Sequence, residues 1–600
     1  MMRIKEFFGG KVIIISLFLR LTSLGYAEDN FYQLEEVKIT AHPLAEPLER
    51  ASQEIKILKK EELTKYGLSR ISSLDLRERG GFGVQEDLSF RGTTFEQNLV
   101  LFEGIKITDL QTSHHLMNLP FTENNLEAIE VLSGGASPFY GSGGFGGVLN
   151  FLLEPSKGGF NFKVGMGSYD YRDLEIKAGL PFLRKKFLNL LFSQRKAQGF
   201  IWNRDFDIRN FNLYHKDPQT TLFYGFQEKD FGARNFYTPK YDSEWEETRT
   251  HLLLAKKLIN IRKLLFEPAI LYRKNYDLYL LDRRNPTFYK NRHETYLYRI
   301  RLPLSLEWKE NLFGFGFEGS YEEWEGLLRN GQIRKKLLRK EYSFFAFFKP
   351  KIGDNLFPSL QIRYDLHSKE KDFLSFGGGI SYLLHEGIKS RFSFNYSYRL
   401  PSATELFYDS LGIRGNPELS SEKAINLETG LDLSQKSYNL SFTLFYRKGW
   451  KLIDWIYNGS HVLAENLDLK TIGFTWDLKK ELRGHSFIIS YTYLNQAGAN
   501  LNFARYHGNY MRHNLVMAGD FKLPYQINLV SFLNYQKRFS QKGIVLLNLE
   551  IRKKISDKLR LSLWGKNLFD ETYYEIRYAE AKKGVLGIPQ WIGFRVEGGF

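Results

Sequence analysis

Two adjacent histidines, His114 and His115, carry the most conspicuous chemistry in this chain. Imidazole is the commonest metal ligand among side chains, so the pair suggests contact with a metal-containing ligand. They lie in the stretch Asp109–Pro120, which reads as an extended loop. Neighbours in an extended segment point to opposite sides. Joint chelation is therefore not expected, and no metal site is assigned. The alternative is a polar loop that packs beneath its surroundings.

No catalytic constellation accompanies them. The chain has no cysteine, no Gly-x-Ser-x-Gly and no His-Glu-x-x-His. That removes thiol nucleophiles, disulfides, thiolate metal sites and two familiar hydrolase signatures. Gly141-x-Gly143-x-x-Gly146 formally matches the dinucleotide fingerprint. The fingerprint needs a helix after its glycines, whereas an apolar strand pattern, Val148–Leu153, follows here. A phosphate loop is also missing. No cofactor is expected, and the chain does not read as an enzyme.

These residues must be held by the mixed segment around them. Leu126–Phe151 runs from a short alternating strand through a glycine-crowded turn into a second apolar strand. Glycine there allows positive φ and close backbone approach. Upstream, Ile55–Leu58 reads as a strand, and Lys60–Tyr66 and Ile71–Arg77 as short helices. Leu88–Gly92 and Asn98–Ile105 read as strands ending in turns. Residues 51–156 thus form an α+β unit of about 100 residues, an ordinary domain size.

From Gly159 the pattern changes to a period of two. Phe160, Phe162, Val164 and Met166 alternate with Asn161, Lys163, Gly165 and Gly167. The same pattern returns at Phe392–Tyr398, at Tyr438–Leu444 and at the C-terminus through Ile592, Phe594 and Val596. Residues 157–600 are too long for one two-layer sandwich. A closed membrane barrel has no free edge and turns its apolar face to lipid. With about 9–11 membrane residues per strand, the count comes to about 20. An even number near 22 leaves a lumen wide enough for a plug, and the upstream unit is the natural filler. The expected fold is mainly β, a ~22-stranded antiparallel transmembrane barrel around an N-terminal α+β plug.

Composition agrees. Fifty Phe and 35 Tyr suit the aromatic belts of a membrane barrel. The net charge of +16 is spread along the chain with acids between, so nucleic acid is not expected and an anionic surface or ligand is. Arg3, Lys5 and Lys11, the apolar run Val12–Leu19 and Ala27 resemble a secretory signal over residues 1–27. Residues 28–50 read as a flexible leader in which Val37 and Ile39 alternate as a strand able to join a partner's sheet.

Several motifs together resemble the TonB-dependent outer-membrane receptors. Glu36-Val37-Lys38-Ile39-Thr40-Ala41 resembles the Ton box. Leu88–Gly92, Val100–Ile105 and Ile129–Asn150 resemble the plug signature. Tyr398–Phe407 with Gly415–Lys423 and Glu428–Gly430 resembles the barrel signature, and Asn567–Asp570, Tyr573 and Phe600 resemble the last two strands. Two departures stand out. Glu103 replaces the usual Asp, and Ser133 and Gly135 replace the Arg and Pro of an Arg-Gly-Pro turn, whose arginine usually joins plug to barrel. Asp109–His115, Phe231–Tyr237 and Arg283–His293 look like the branch that holds vitamin B12, siderophore and haem receptors.

The resemblance implies active import across the outer membrane of a large scarce nutrient, a cobalamin-like corrinoid or a ferric siderophore. Energy would come from TonB and its inner-membrane motor proteins, pairing with Glu36, Val37, Lys38, Ile39 and Thr40. Outer-membrane lipid and lipopolysaccharide, and a periplasmic binding protein, are the further partners implied. Candidates for substrate contact are Gln111, His114, His115 and Asn118 in the plug, with Arg234, Phe236, Tyr237, Arg283 and Arg284 in outer loops. The arginines would steer an anionic chelate or bind lipopolysaccharide. The competing reading is a passive porin or structural barrel.

Overall fold

The structure, a computed structural model, describes residues 38–39 and 46–600 apart from 184, 411, 579, 580 and 582. The signal expected over 1–27, and Glu36, Val37 and Thr40 of the Ton-box-like stretch, lie outside the described residues. Lys38–Ile39 lies within them and pairs antiparallel with Glu46–Pro47.

Among the described residues, 22 long antiparallel strands close a barrel, as the alternation predicts. The ring shuts where Gly159–Gly167 meets Trp591–Gly599, with Val164 opposite Val596. Alternation sorts the two faces. On the strand Leu356–His367, Leu360 and Ile362 are 59% and 48% exposed. Ser359, Arg363 and Asp365, of the opposite parity, are buried against the lumen contents. Phe392 and Leu444 likewise face out while Arg391, Ser393 and Thr443 face in. The apolar rows therefore meet lipid, and closure leaves no unpaired edge.

The two ends of the barrel differ. At one end strands are joined by short turns, at 309–310, 386–387, 483–484 and 524–526. At the other the connections are long, at 198–205, 233–244, 400–421, 498–510 and 567–590. Outer-membrane barrels put short turns on the periplasmic side and long loops outside.

The lumen holds the plug. Its sheet runs Ile55–Lys59, Leu126–Ser133, Gly147–Leu153, Leu99–Phe102, Ile105–Ile107 in spatial order. Val100, Leu101, Phe102, Val131 and Leu149 are fully buried in it. The helix Lys60–Tyr66 forms as expected, with Glu61 and Glu62 in its first turn and Lys65 in its last, each complementing the helix dipole. It stops at Gly67, whose φ is 62°. The last plug strand ends at Leu153 and the first barrel strand starts at Gly159.

One local expectation is overturned. Ile71–Arg77 is not a helix; Leu74–Arg79 is a strand, paired with Gln85–Phe90. Its charged positions tolerate burial because they are ion-paired. Asp75 lies 3.0 Å from Arg77 and 2.6 Å from Arg538 of the barrel wall. The cross-strand ladder and these pairs override a local pattern that fits either state.

The plug meets the wall through both apolar and polar contacts. Phe102 packs on Phe223 with ring centroids 4.8 Å apart, and Phe82 on Trp591 at 4.7 Å. Ser52 bonds Ser359 at 3.0 Å, Ser72 bonds Thr492 at 2.8 Å, and Arg301 donates to the Gly104 carbonyl at 2.6 Å. Glu103 accepts through Oε1 from Leu153 N at 2.6 Å and from Lys216 Nζ at 2.9 Å, so the longer acid still ties plug to wall. Gly135 is required where it stands, since a Cβ there would lie 1.8 Å from Asn395 Oδ1. The leader leaves at the short-turn end. Arg50 donates to the carbonyl of Glu310 in turn 309–310, and Lys389, beside turn 386–387, donates to the carbonyl of Leu48.

Candidate functional site

At the long-loop end, two short 3-10 turns form the plug apex, Phe95–Gln97 and Ser113–His115. Thr94 and Gln97 make a capping box on the first, and Thr112 caps the second, which satisfies otherwise orphaned amides. Glu96 clamps the two together. It accepts from Thr112 Oγ1 at 3.0 Å, Ser113 N at 3.1 Å and Ser113 Oγ at 2.7 Å. Burial beside Glu405 pushes its carboxyl up to about 7, against the pull of Arg399.

His114 and His115 are thus on a turn, not in an extended loop. Extended geometry therefore does not separate them, but they still go to different partners. His114 stacks on Phe95 with centroids 3.8 Å apart and places Nδ1 2.6 Å from Asp87 Oδ1. Burial pushes its imidazole down to about 4 despite Asp87. His115 has Nε2 3.5 Å from Asp277 Oδ2. Burial disfavours its charge, yet Asp277, with Asp109 and Glu246 beyond, outweighs that and lifts it to about 9.

Gln111 donates to the same Asp277 oxygen at 2.5 Å, and Asn118 reaches Thr248 Oγ1 at 3.4 Å. Asp109 anchors the loop, accepting from Gln111 N at 3.0 Å and pairing with Arg273 at 2.6 Å. Tyr237 joins this group, donating to Glu246 and lying edge-on to His114 at 6.0 Å. Phe236 is buried beside it under Arg204, and its carbonyl accepts from Arg79 and Tyr578. Six of the nine predicted contacts therefore come together, and they are covered rather than open. Gln111, His114, His115 and Asn118 are each less than a tenth exposed. Tyr506 packs over Phe95 at 4.8 Å, and Arg505 over Tyr578 at 4.9 Å, closing loops 498–510 and 567–590 above them.

Arg234, Arg283 and Arg284 are not part of that group. They gather in the outer loops around Asn203, and each has an aspartate. Arg283 pairs with Asp205 at 2.5 Å, Arg284 with Asp282 at 3.0 Å and Arg234 with Asp242 at 4.0 Å. Arg284 also lies over Trp202 at 5.3 Å. Their net pull on an anion is smaller than a count of arginines implies.

The sequence reading missed the wall side of the site, chiefly Glu246, Asp277, His293 and Arg273. Strand parity carries that signal. Glu246, Thr248 and Thr250 on one strand, and Arg273, Asn275 and Asp277 on the next, occupy alternate lumen-facing positions and are buried.

Comparison with known proteins agrees with this architecture. Residues 140–568 match the family model described as TonB dependent receptor-like, beta-barrel, and residues 48–148 match the TonB-dependent receptor plug domain. A vitamin B12 transporter of Vibrio vulnificus is 22% identical over 545 residues, covering 83% of this chain and 84% of that one. Its counterpart in Vibrio cholerae is 26% identical over 199 residues, so the match spans 31% of this chain and only 32% of the relative. The ferripyoverdine receptor of Pseudomonas aeruginosa, solved with ferripyoverdine bound, superposes with a TM-score of 0.73 at 16% identity, over 94% of this chain and 89% of that one. This chain belongs to the TonB-dependent receptors, a family of outer-membrane transporters and receptors for small molecules.

Proposed function

We propose that the protein is an energised importer of a large scarce nutrient, a cobalamin-like corrinoid or a ferric siderophore. The observation that carries this reading is the opposed placement of two features on one plug. The candidate contact residues lie under the long loops. The chain toward Lys38–Ile39 leaves past the short turns. A ligand held at the outer face would then act on the plug, and TonB, driven by its inner-membrane motor proteins, would pull from the periplasmic face by adding its strand to Glu36–Thr40.

The polar part of the seam suits such a cycle, because its hydrogen bonds can be exchanged for water as a plug shifts, at small net cost. The apex group Gln111, His114, His115, Asn118, Phe236 and Tyr237 would meet the ligand once loops 498–510 and 567–590 part. Arg234, Arg283 and Arg284 would make the first outer contacts or hold lipopolysaccharide. Handover to a periplasmic binding protein would follow. The vitamin B12 transporter of V. vulnificus, similar along most of the chain, favours a corrinoid; the ferripyoverdine receptor favours a ferric chelate.

The test is growth of a deletion strain on limiting cobalamin, ferric siderophore or haem, complemented by the full chain or by one lacking Val37–Thr40. Import predicts rescue on one nutrient by the full chain alone. Equal rescue by both would mean passive entry.

A further inference from the structure

Three side chains from separate elements converge beneath the loops. His115 comes from the plug apex, Glu246 from the strand Trp245–Lys257 and Asp277 from the strand Ala269–Leu280. One donor atom from each lies within 4.8 Å of the others. Their exposures are 3%, 2% and 4%. The two strands are paired, with Glu246 opposite Tyr279, so Glu246 and Asp277 are diagonal neighbours on the lumen face.

Two carboxylates this deep need positive charge nearby. Among the described residues neither forms an ion pair with lysine or arginine; Asp277 meets His115 and accepts from Gln111, Glu246 accepts from the Tyr237 hydroxyl, and a charged His115 balances only one of the two carboxylates. The closest arginines are committed elsewhere, Arg273 to Asp109 and Arg79 to Asp87. Unused donor atoms also surround the cluster. Asp277 Oδ1 is buried without a hydrogen-bond partner. So is Gln111 Oε1, on an amide whose nitrogen already touches Asp277. So is Nδ1 of His293, the direct cross-strand neighbour of Asp277.

We propose that His115, Glu246 and Asp277 bind one divalent transition-metal ion that fastens the plug to the barrel wall. Imidazole with carboxylates suits Zn²⁺, Co²⁺ or Ni²⁺, whereas Ca²⁺ and Mg²⁺ prefer all-oxygen shells. Bonds of about 2.0–2.2 Å put tetrahedral ligand atoms roughly 3.3–3.6 Å apart. The cluster therefore contracts by about an ångström on binding, within reach of side-chain torsions. Gln111, whose amide already touches Asp277, offers Oε1 as a further ligand. Because one ligand rides on the plug and two on the wall, the ion resists plug displacement. This inference goes beyond the import reading and does not depend on which nutrient is carried.

The test uses the full chain purified in detergent, stripped with chelator and titrated with Co²⁺, with visible absorption as the readout. One Co²⁺ per chain is expected, with the bands of nitrogen- and oxygen-ligated cobalt, displaced by Zn²⁺ and not by Ca²⁺. His115→Gln and Asp277→Asn should each weaken binding at least tenfold. Heat-modified gel mobility reports whether each variant keeps its barrel; should Asp277→Asn fail, His115→Gln, which leaves the wall intact, decides. Absence of stoichiometric cobalt in the parent chain, or unchanged affinity in His115→Gln, overturns the proposal.

Discussion

Arg91 of the plug donates from Nη1 to Oε2 of Glu428 on the barrel wall at 2.6 Å, with both side chains buried. Its other nitrogen, Nη2, reaches Glu54 at 2.5 Å, and Arg391 of the wall approaches Glu428 from the far side at 2.9 Å. Arg91 thus makes the plug-to-barrel arginine contact that Ser133 cannot make. Removing one member of a buried pair leaves an uncompensated charge and costs about 3–5 kcal/mol. Arg91→Ala should therefore loosen the plug while sparing the barrel. Limited proteolysis should cut the plug at lower denaturant concentration, with barrel heat-modifiability unchanged.

The same network sets an acid limit. Burial alone would raise the Glu54 carboxyl, but the charges of Lys56, Arg91 and Arg391 outweigh it and hold it at about 2. A carboxylate depressed in the folded state contributes stability that is complete above its unfolded value near 4.5 and is lost as pH falls toward 2. The contribution is on the order of 3 kcal/mol. The Glu54 share of plug protection, read by hydrogen exchange as the difference between the parent and Glu54→Gln, should be constant from pH 7 to 5 and fall between pH 4.5 and 2.

The glycine cluster offers a steric test. A Cβ on Gly144 would lie 2.7 Å from the Ser137 nitrogen and 2.9 Å from the Ala136 carbonyl carbon. Both are backbone atoms and cannot rotate away. Gly144→Ala should cost about 1–3 kcal/mol as overpacking, read as a lower unfolding midpoint of the plug. Gly331 lies in the barrel loop after Leu328, with nothing within 4 Å of a built Cβ; its φ of 85° strains that turn alone, so Gly331→Ala should leave the plug midpoint unchanged.

The barrel was legible because one rule governs it. Phe392 against Ser393 and Leu444 against Thr443 repeat a period of two, and lipid on one side forces the parity. The plug was half legible. Lys60–Tyr66 shows its helix through end charges and Gly67, whereas Leu74–Arg79 hid its strand because Asp75 and Arg77 are paid for by Arg538, over 400 positions away. The apex loop was found through the chemistry of its adjacent histidines, His114 and His115, and by resemblance. Their wall partners were not found. Parity says that Asp277 faces inward, but its height depends on barrel register and on how deep the plug sits, neither of which is written locally.

The central claim is a closed barrel whose lumen the plug obstructs until it is pulled. Steady conductance of the purified full chain in a planar bilayer tests this without knowledge of the ligand. An obstructing plug predicts no sustained current from the full chain and a large open pore from the barrel lacking residues 51–156. Equal steady conductance from both would contradict it.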